Sequence, residues 1–372
     1  VLSEVEAPHL AATVIKDLLK RSSLPGEAVD EVIIGQVLSG GVGQAPARQA
    51  MRYAGLPDSV SALTINKVCG SALKAIMLGA ASIRLGDANI VIAGGMENMS
   101  LAPYLLSKGR YGYRMGNGEL IDLLLHDGLK DPYSGQHMGS IAEATTEKHN
   151  LSREDQDAFA LGSYRKAQTA VKEGIFHDEI VPVVIKARKG EVTISDDEEP
   201  FKVDFDKLAG LRGAFKKDGT ITAGNASTIN DGAAVTLLAG ADAVLKYGLK
   251  IKARLVAYAS HSQHPDQFAE APVGAIEKVL AKAGLKTSDI DLFEINEAFA
   301  AVTLLAIRKL HLDPEKVNVN GGAVALGHPL GASGGRLVAT VVRELQKRQA
   351  RYGLVTLCIG GGESVAVILE RI

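Results

Sequence analysis

The sequence predicts an α/β protein of two similar halves, each a largely buried mixed sheet with helices packed on it, plus one large inserted segment. Two repeats and one interruption carry this reading. Leu10, Val14, Ile15, Leu18 and Leu19 recur at helical spacing and lead to the buried-strand pattern V-D-E-V-I-I-G at 29–35. Residues 270–295 repeat that plan, with a helix followed by D-I-D-L-F-E-I-N. A second echo joins the Ala- and Leu-rich helix at 70–86, with D-A-N-I-V-I-A-G-G-M-E after it, to a helix at 331–349 followed by Y-G-L-V-T-L-C-I-G-G-G-E. Order, spacing and glycine pairs agree, which is the mark of internal duplication. Between the halves, residues 100–225 are richer in charge, glycine and aromatic residues and hold only scattered strand signals such as E-I-V-P-V-V-I. That stretch reads as an insertion over one face, the kind of segment that usually carries function.

Size and composition bound the rest. A chain of 372 residues is long for one core and suggests two or three domains. A net charge of −2 argues against a nucleic-acid partner, and no apolar run approaches the length of a membrane span. Two cysteines are no disulfide framework, so a reducing compartment, the cytoplasm, is expected. The opening V-L-S-E-V-E-A-P-H-L has no signal-peptide pattern.

Chemistry concentrates in four places. Cys69 ends a β-rich run in T-I-N-K-V-C-G-S-A-L and precedes a helix, so its sulfur sits at a helix N-terminus that favours a thiolate. Cys358 is delivered by a strand to three glycines whose N–H groups suit an oxyanion. Each cysteine alone reads equally well as a buried, inert one. His328 lies in A-L-G-H-P-L-G, where Pro329 holds it extended on a stiff loop. Asn296 opens N-E-A-F-A-A at the end of a buried strand, as a helix cap, a hydrogen-bond donor, or both. The glycine-rich runs match neither a dinucleotide fingerprint nor a P-loop, and no cysteine–histidine spacing suggests a metal.

Six blocks taken together resemble the thiolase family: N-K-V-C-G-S-A at 66–72, G-G-M-E-N-M-S at 94–100, G-N-A-S-T-I-N-D-G-A-A at 224–234, N-E-A-F-A-A at 296–301, N-V-N-G-G-A-V-A-L-G-H-P-L-G-A-S-G at 318–334 and C-I-G-G-G at 358–362. They run in order over essentially the whole chain. R-Y-G-Y-R-M-G at 110–116 and G-Q-H-M-G-S at 135–140 look like the short-chain, acetoacetyl-CoA branch. The resemblance implies two thiolase halves with mixed five-stranded sheets, at 1–99 with 226–250 and at 251–372, and a loop domain at 100–225. It implies reversible Claisen condensation of two acetyl-CoA to acetoacetyl-CoA and coenzyme A, with no cofactor beyond these substrates, in a dimer or tetramer.

By the same resemblance, Cys69 takes the acyl group, His328 activates it, and Cys358 moves the α-proton of the second acetyl-CoA. Asn296, through a water, and His328 hold the enolate oxygen. The N–H groups of Cys69 and Gly360 hold the other oxyanion. Ser227 with Ala226 meets the pantetheine chain, His137 and Met138 line the acyl pocket, and Lys202 lies at the nucleotide end. Two features depart from the family. Its usual first strand and Arg-Thr-Pro loop are absent, so the first sheet is expected to lack a member. D-E-E-P-F-K at 197–202 places Phe201 where the family often has arginine. Two other readings fit the same motifs: a degradative 3-ketoacyl-CoA thiolase with a longer acyl pocket, and a non-catalytic scaffold of this fold.

Overall fold

The computed structural model describes residues 1–187 and 190–372. Its first half holds α1 (Ala7–Ser22), β1 (Glu31–Gly35), α2 (Pro46–Tyr53), β2 (Ser61–Ile65), α3 (Ser71–Leu85) and β3 (Ile90–Asn98). The inserted stretch holds β4 (Tyr104–Leu105), β5 (Ile121–Asp122), α4 (Met138–Lys148), α5 (Arg153–Lys172), β6 (Val183–Ala187), β7 (Gly190–Ile194) and α6 (Phe205–Leu208). The chain then runs through β8 (Asp231–Ala239), α7 (Ala241–Tyr247), β9 (Ala253–Ser262), α8 (Ala271–Ala283), β10 (Leu292–Ile295), α9 (Ala300–Leu310), α10 (Ala323–Leu326), α11 (Ser333–Arg348), β11 (Tyr352–Ile359) and β12 (Glu363–Arg371).

The repeat seen in the sequence is a repeat of topology. The first sheet has the order β2-β1-β3-β8 and the second β10-β11-β12-β9. In each, parallel strands flank the buried helix (β1 with β3, β10 with β11) and the next strand joins antiparallel (β8 on β3, β12 on β11). Each sheet has four strands: the first lacks a member, as expected, and the second is one short of the five expected, a correction. Beyond β10 the fifth position shrinks to one bridge, Phe293 with Val317. There Asn318 turns the chain with φ +46, and its amide bonds both the N–H and the carbonyl of Ile295. In the first sheet, no strand among the described residues pairs with the outer edge of β8, the place that β9 takes on β12.

The layers follow from which helices are buried along most of their length. α3 and α11 lie back to back between the sheets, with Leu73, Ile76, Leu337 and Val341 packed on Val91, Val355 and Val367. Full burial of one such side chain is worth about 1.5–3 kcal/mol, so this central layer supplies much of the stability. α1 and α2 cover the outer face of the first sheet, α8 and α9 that of the second. Val68–Leu85 is apolar enough over 18 residues to pass for a membrane span by composition; here it is the core helix with its lead-in. A Cβ at Gly334 would stand 2.5 Å from the backbone nitrogen of Leu73. Glycine there lets the first turns of α3 and α11 touch, which brings the loops before them side by side.

Candidate active site

Those two loops carry Cys69 and His328. After β2 the chain turns at Asn66–Cys69, where Asn66 Oδ1 accepts from the N–H of Val68 at 2.8 Å. Val68 itself has φ +46, a left-handed conformation that a β-branched residue adopts only under constraint. The strain, of order 1–3 kcal/mol, sits immediately before Cys69. Ser71 ties the turn down: its hydroxyl donates to the carbonyl of Val68 at 2.6 Å and accepts from the N–H of Lys67 at 2.8 Å. The backbone N–H groups of Gly360 and of Cys69 itself lie near the sulfur and favour its ionised form. Burial nonetheless pushes this thiol up to about 12, against those two N–H groups and with a further push from the charge of Glu97. The helix-end thiolate expected from the sequence is therefore a thiol in the resting protein, because desolvation outweighs the dipole.

His328 is buried, and burial with the nearby charge of Arg336 lowers it to about 3. Its imidazole is neutral, and a hydrogen-bond chain settles the tautomer. Ser333 donates its hydroxyl to the carbonyl of Pro329 at 3.0 Å, so its oxygen accepts Nδ1–H at 2.6 Å. Nε2 is left with a lone pair, as a base requires. The loop is further held by the N–H of His328 on Asn230 Oδ1 at 3.2 Å. The Nδ2 of Asn296 stands 3.4 Å from both ring nitrogens, a contact along the imidazole edge and aligned with neither lone pair. Its Oδ1 is buried and has no partner, so it can accept from a water placed between it and the cavity.

Cys358 ends β11 opposite, buried, with burial and then the charge of Cys69 raising its thiol well above the ordinary range. Cys69, His328, Cys358 and the N–H of Gly360 converge on one cavity of about 250 Å³. Ala226 and Ser227 form another wall, because Ala226 bridges to Phe299 and Ser227 bonds the carbonyl of Ala298 through both its N–H and its hydroxyl, at 3.1 and 2.9 Å. His137 caps α4 by accepting the N–H of Gly139 on Nδ1 at 3.0 Å, and Met138 follows it into the cavity.

The structure does not bring every expected residue here. Asn296 stands behind His328, outside the cavity lining. Lys202, expected at the nucleotide end, lies outside this cavity on the surface, its ammonium exposed and paired with Glu198 and Glu199 at 3.3 and 3.0 Å. Phe201 lies beside it on the surface, under the ammonium of Lys172 at 5.8 Å. Three aromatic residues were missed by sequence reasoning. Phe215 stacks on His137 at 4.8 Å and meets Phe299 edge-on, and Phe268 meets Phe299 in turn. Ser333 and Glu97 were missed as well. Glu97 is buried and accepts N–H groups from Val37, Leu38 and Gly331 at 3.0, 3.1 and 2.8 Å. The glycine pairs before and after these residues were the available signal, since backbone that approaches closely needs an acceptor there.

Comparison with known proteins gives one answer along the whole chain. Residues 1–242 match the family model "Thiolase, N-terminal domain" and residues 249–371 match "Thiolase, C-terminal domain". The chain is 52% identical over 372 residues to an acetyl-CoA acetyltransferase of Chromobacterium violaceum, covering all of this chain and 95% of the relative. It is 49% identical over 373 residues to the acetyl-CoA acetyltransferase of Escherichia coli, again covering all of this chain and 95% of that one. The crystal structure of the Bacillus anthracis acetyl-CoA acetyltransferase superposes with a TM-score of 0.97 at 42% identity, over all of this chain and 94% of that chain.

Proposed function

The chain belongs to the thiolase family, and we propose how its residues divide the work of an acyltransferase that moves acetyl groups between coenzyme A thioesters. The reaction is the reversible condensation of two acetyl-CoA to acetoacetyl-CoA and coenzyme A. One observation carries the residue assignment: two thiols and a neutral imidazole face one cavity, with Gly360 in the same lining.

In the first half-reaction Nε2 of His328 takes the proton of Cys69 as the sulfur bonds to the acetyl carbonyl. The oxyanion takes the N–H groups of Cys69 and Gly360, and the leaving thiolate of coenzyme A takes the proton of Cys358. Acetylation turns Cys69 into a thioester that can no longer ionise, so no charge on that sulfur can oppose ionisation of Cys358. The Cys358 thiolate then removes the α-proton of the second acetyl-CoA. Its enolate oxygen is held by His328, now protonated, and by a water on Asn296. The carbanion bonds to the acetyl carbon, the bond to Cys69 breaks, and His328 returns its proton to that sulfur. Thiol, imidazole and backbone donors supply every step, so this reading needs no resident cofactor.

Ser227 and Ala226 suit the pantetheine arm, and His137 and Met138 the acyl end. The domain limits we favour are 1–99 with 226–250, 100–225, and 251–372. Two free thiols suit the cytoplasm. Incubation with acetyl-CoA and peptide mapping tests the assignment: the acetyl group is expected on Cys69, and label on Cys358 reverses the roles.

A further inference from the structure

Two carboxylates outside the reacting set make the same kind of contact in opposite directions. Glu97 stands on β3, in the first sheet, and accepts the N–H of Gly331 at 2.8 Å. Gly331 lies in the His328 loop, which belongs to the second half. Glu363 opens β12, in the second sheet, and accepts from the ammonium of Lys67 at 2.6 Å. Lys67 lies in the Cys69 loop, which belongs to the first half. Each half therefore reaches across and holds the loop that precedes the other half's core helix.

Both contacts are built, not incidental. Glu97 is fully buried, and its two oxygens also take the N–H groups of Val37 and Leu38, which anchors it to its own half before it reaches Gly331. A Cβ at Gly95 would stand 1.9 Å from the carbonyl oxygen of Gly331, so β3 runs directly beneath the His328 loop. Glu363 is anchored likewise, with Ser262 of β9 donating to its other oxygen at 3.0 Å. Gly331 is three residues from His328 and Lys67 two residues from Cys69, so a shift at either contact is passed to a reacting atom.

We propose that Glu97 and Glu363 are positioning residues, a reciprocal clasp that sets the placement of Cys69 against His328. The proposal rests on the assignment of those two as nucleophile and base. It explains why a three-donor site is filled by a carboxylate: a glutamine would turn one N–H against a backbone N–H.

Glu97→Gln, Glu363→Gln, Lys67→Met and the double variant Lys67→Met/Glu363→Met test it. The readouts are single-turnover acetylation of Cys69, kcat and KM with acetoacetyl-CoA, the pH midpoint of Cys69 alkylation, and the melting temperature. A displacement of the order of 1 Å costs about a hundredfold in rate, so Glu97→Gln is expected to slow acetylation by roughly ten- to a hundredfold with KM within about twofold. Its alkylation midpoint is expected to fall, because a charge that opposes the Cys69 thiolate is gone. Lys67→Met is expected to lose about tenfold, Glu363→Gln less because the amide oxygen still accepts from Lys67, and the double variant no more than Lys67→Met alone. Acetylation by Glu97→Gln within about twofold of wild type overturns the clasp. A loss that tracks melting temperature with the alkylation midpoint unmoved reduces Glu97 to a structural residue and overturns it too. If Glu97→Gln does not fold, the Lys67 and Glu363 cycle decides, and additive losses there overturn the proposal. Failure of the wild type itself to acetylate Cys69 refutes the site assignment instead.

Discussion

At the scale of single residues, the site is a set of groups held in the wrong protonation state for isolated chemistry and the right one for concerted transfer. Both thiols are protonated and the imidazole is neutral, all three because of burial. Cys69 and Cys358 then differ only in what surrounds them. The N–H groups of Gly360 and Cys69 favour ionisation of Cys69, whereas an ionised Cys69 would oppose ionisation of Cys358. Cys358→Ser is expected still to acetylate Cys69, more slowly because the leaving thiolate loses its proton donor, and to lose at least about a hundredfold in condensation, since general acid–base transfer is worth 10²–10⁴. Condensation at the wild-type rate contradicts the two-thiol mechanism. The buried histidine also makes a stability prediction. A folded value of about 3 lies below the ordinary 6.5, so the unfolded chain binds the proton first as pH falls. The stability His328 contributes is complete above pH 6.5 and drains away toward pH 3. Urea unfolding at pH 7 and pH 5 should show the wild type losing roughly 2 kcal/mol more than His328→Asn over that interval. Equal losses in the two proteins indicate an imidazole that reaches water.

At the scale of elements, most of what positions the site was legible. The helix at 70–86 is α3, and the helix at 331–349 is α11. Period and glycine pairs announced both: α3 is apolar over most of its surface, α11 buries a stripe of Leu337, Val338, Val341 and Leu345, and strands buried on two faces are short apolar runs. The aromatic wall was not legible. Phe215, Phe268 and Phe299 lie far apart in sequence and meet only in the fold, so no local pattern marks them. Ser333 was hidden for another reason: its contact to Nδ1 of His328 arises from the turn into α11, which Pro329 and two glycines shape. Lys202 sits at the end of the short helical turn Glu199–Phe201, which pairs it with its own neighbours on the surface. The aromatic wall also bears on chain length. His137, with its Nδ1 fixed on Gly139 and its ring stacked on Phe215, leaves the acyl end little freedom to move aside. One methylene in such a pocket is worth roughly 1–3 kcal/mol, so kcat/KM for thiolysis should fall about tenfold or more at each step from C4 to C6 to C8. A flat profile to C8 points to the degradative reading. Phe215→Ala is expected to flatten the profile, because it removes the ring that braces His137.

At the scale of the whole molecule, two exposed apolar regions bear on assembly. β2 pairs on one side only, and its Leu63 is 43% exposed at the free edge of the first sheet. An unpaired apolar edge invites another copy of the same strand, a twofold contact in which each half-reaction cavity stays intact. A second exposed region lies between β4 and β5, where Tyr111 is 92% and Met115 98% exposed beside Leu120. Monomers rarely expose apolar groups of this size together. Separate contacts are expected of the two regions: the edge for a dimer, the β4–β5 segment for pairing dimers into a tetramer. The expectation is a tetramer by sedimentation, built from chains of 39.1 kDa. Tyr111→Ser with Met115→Ser should shift it to a dimer while leaving kcat per chain within about twofold, because neither residue lines the cavity. Leu63→Lys should go further, giving monomers, since a charge on the edge blocks strand pairing. A fully active monomer of the wild-type chain removes the need for either contact. A tetramer that survives both surface serines places the dimer–dimer contact elsewhere than on the β4–β5 segment.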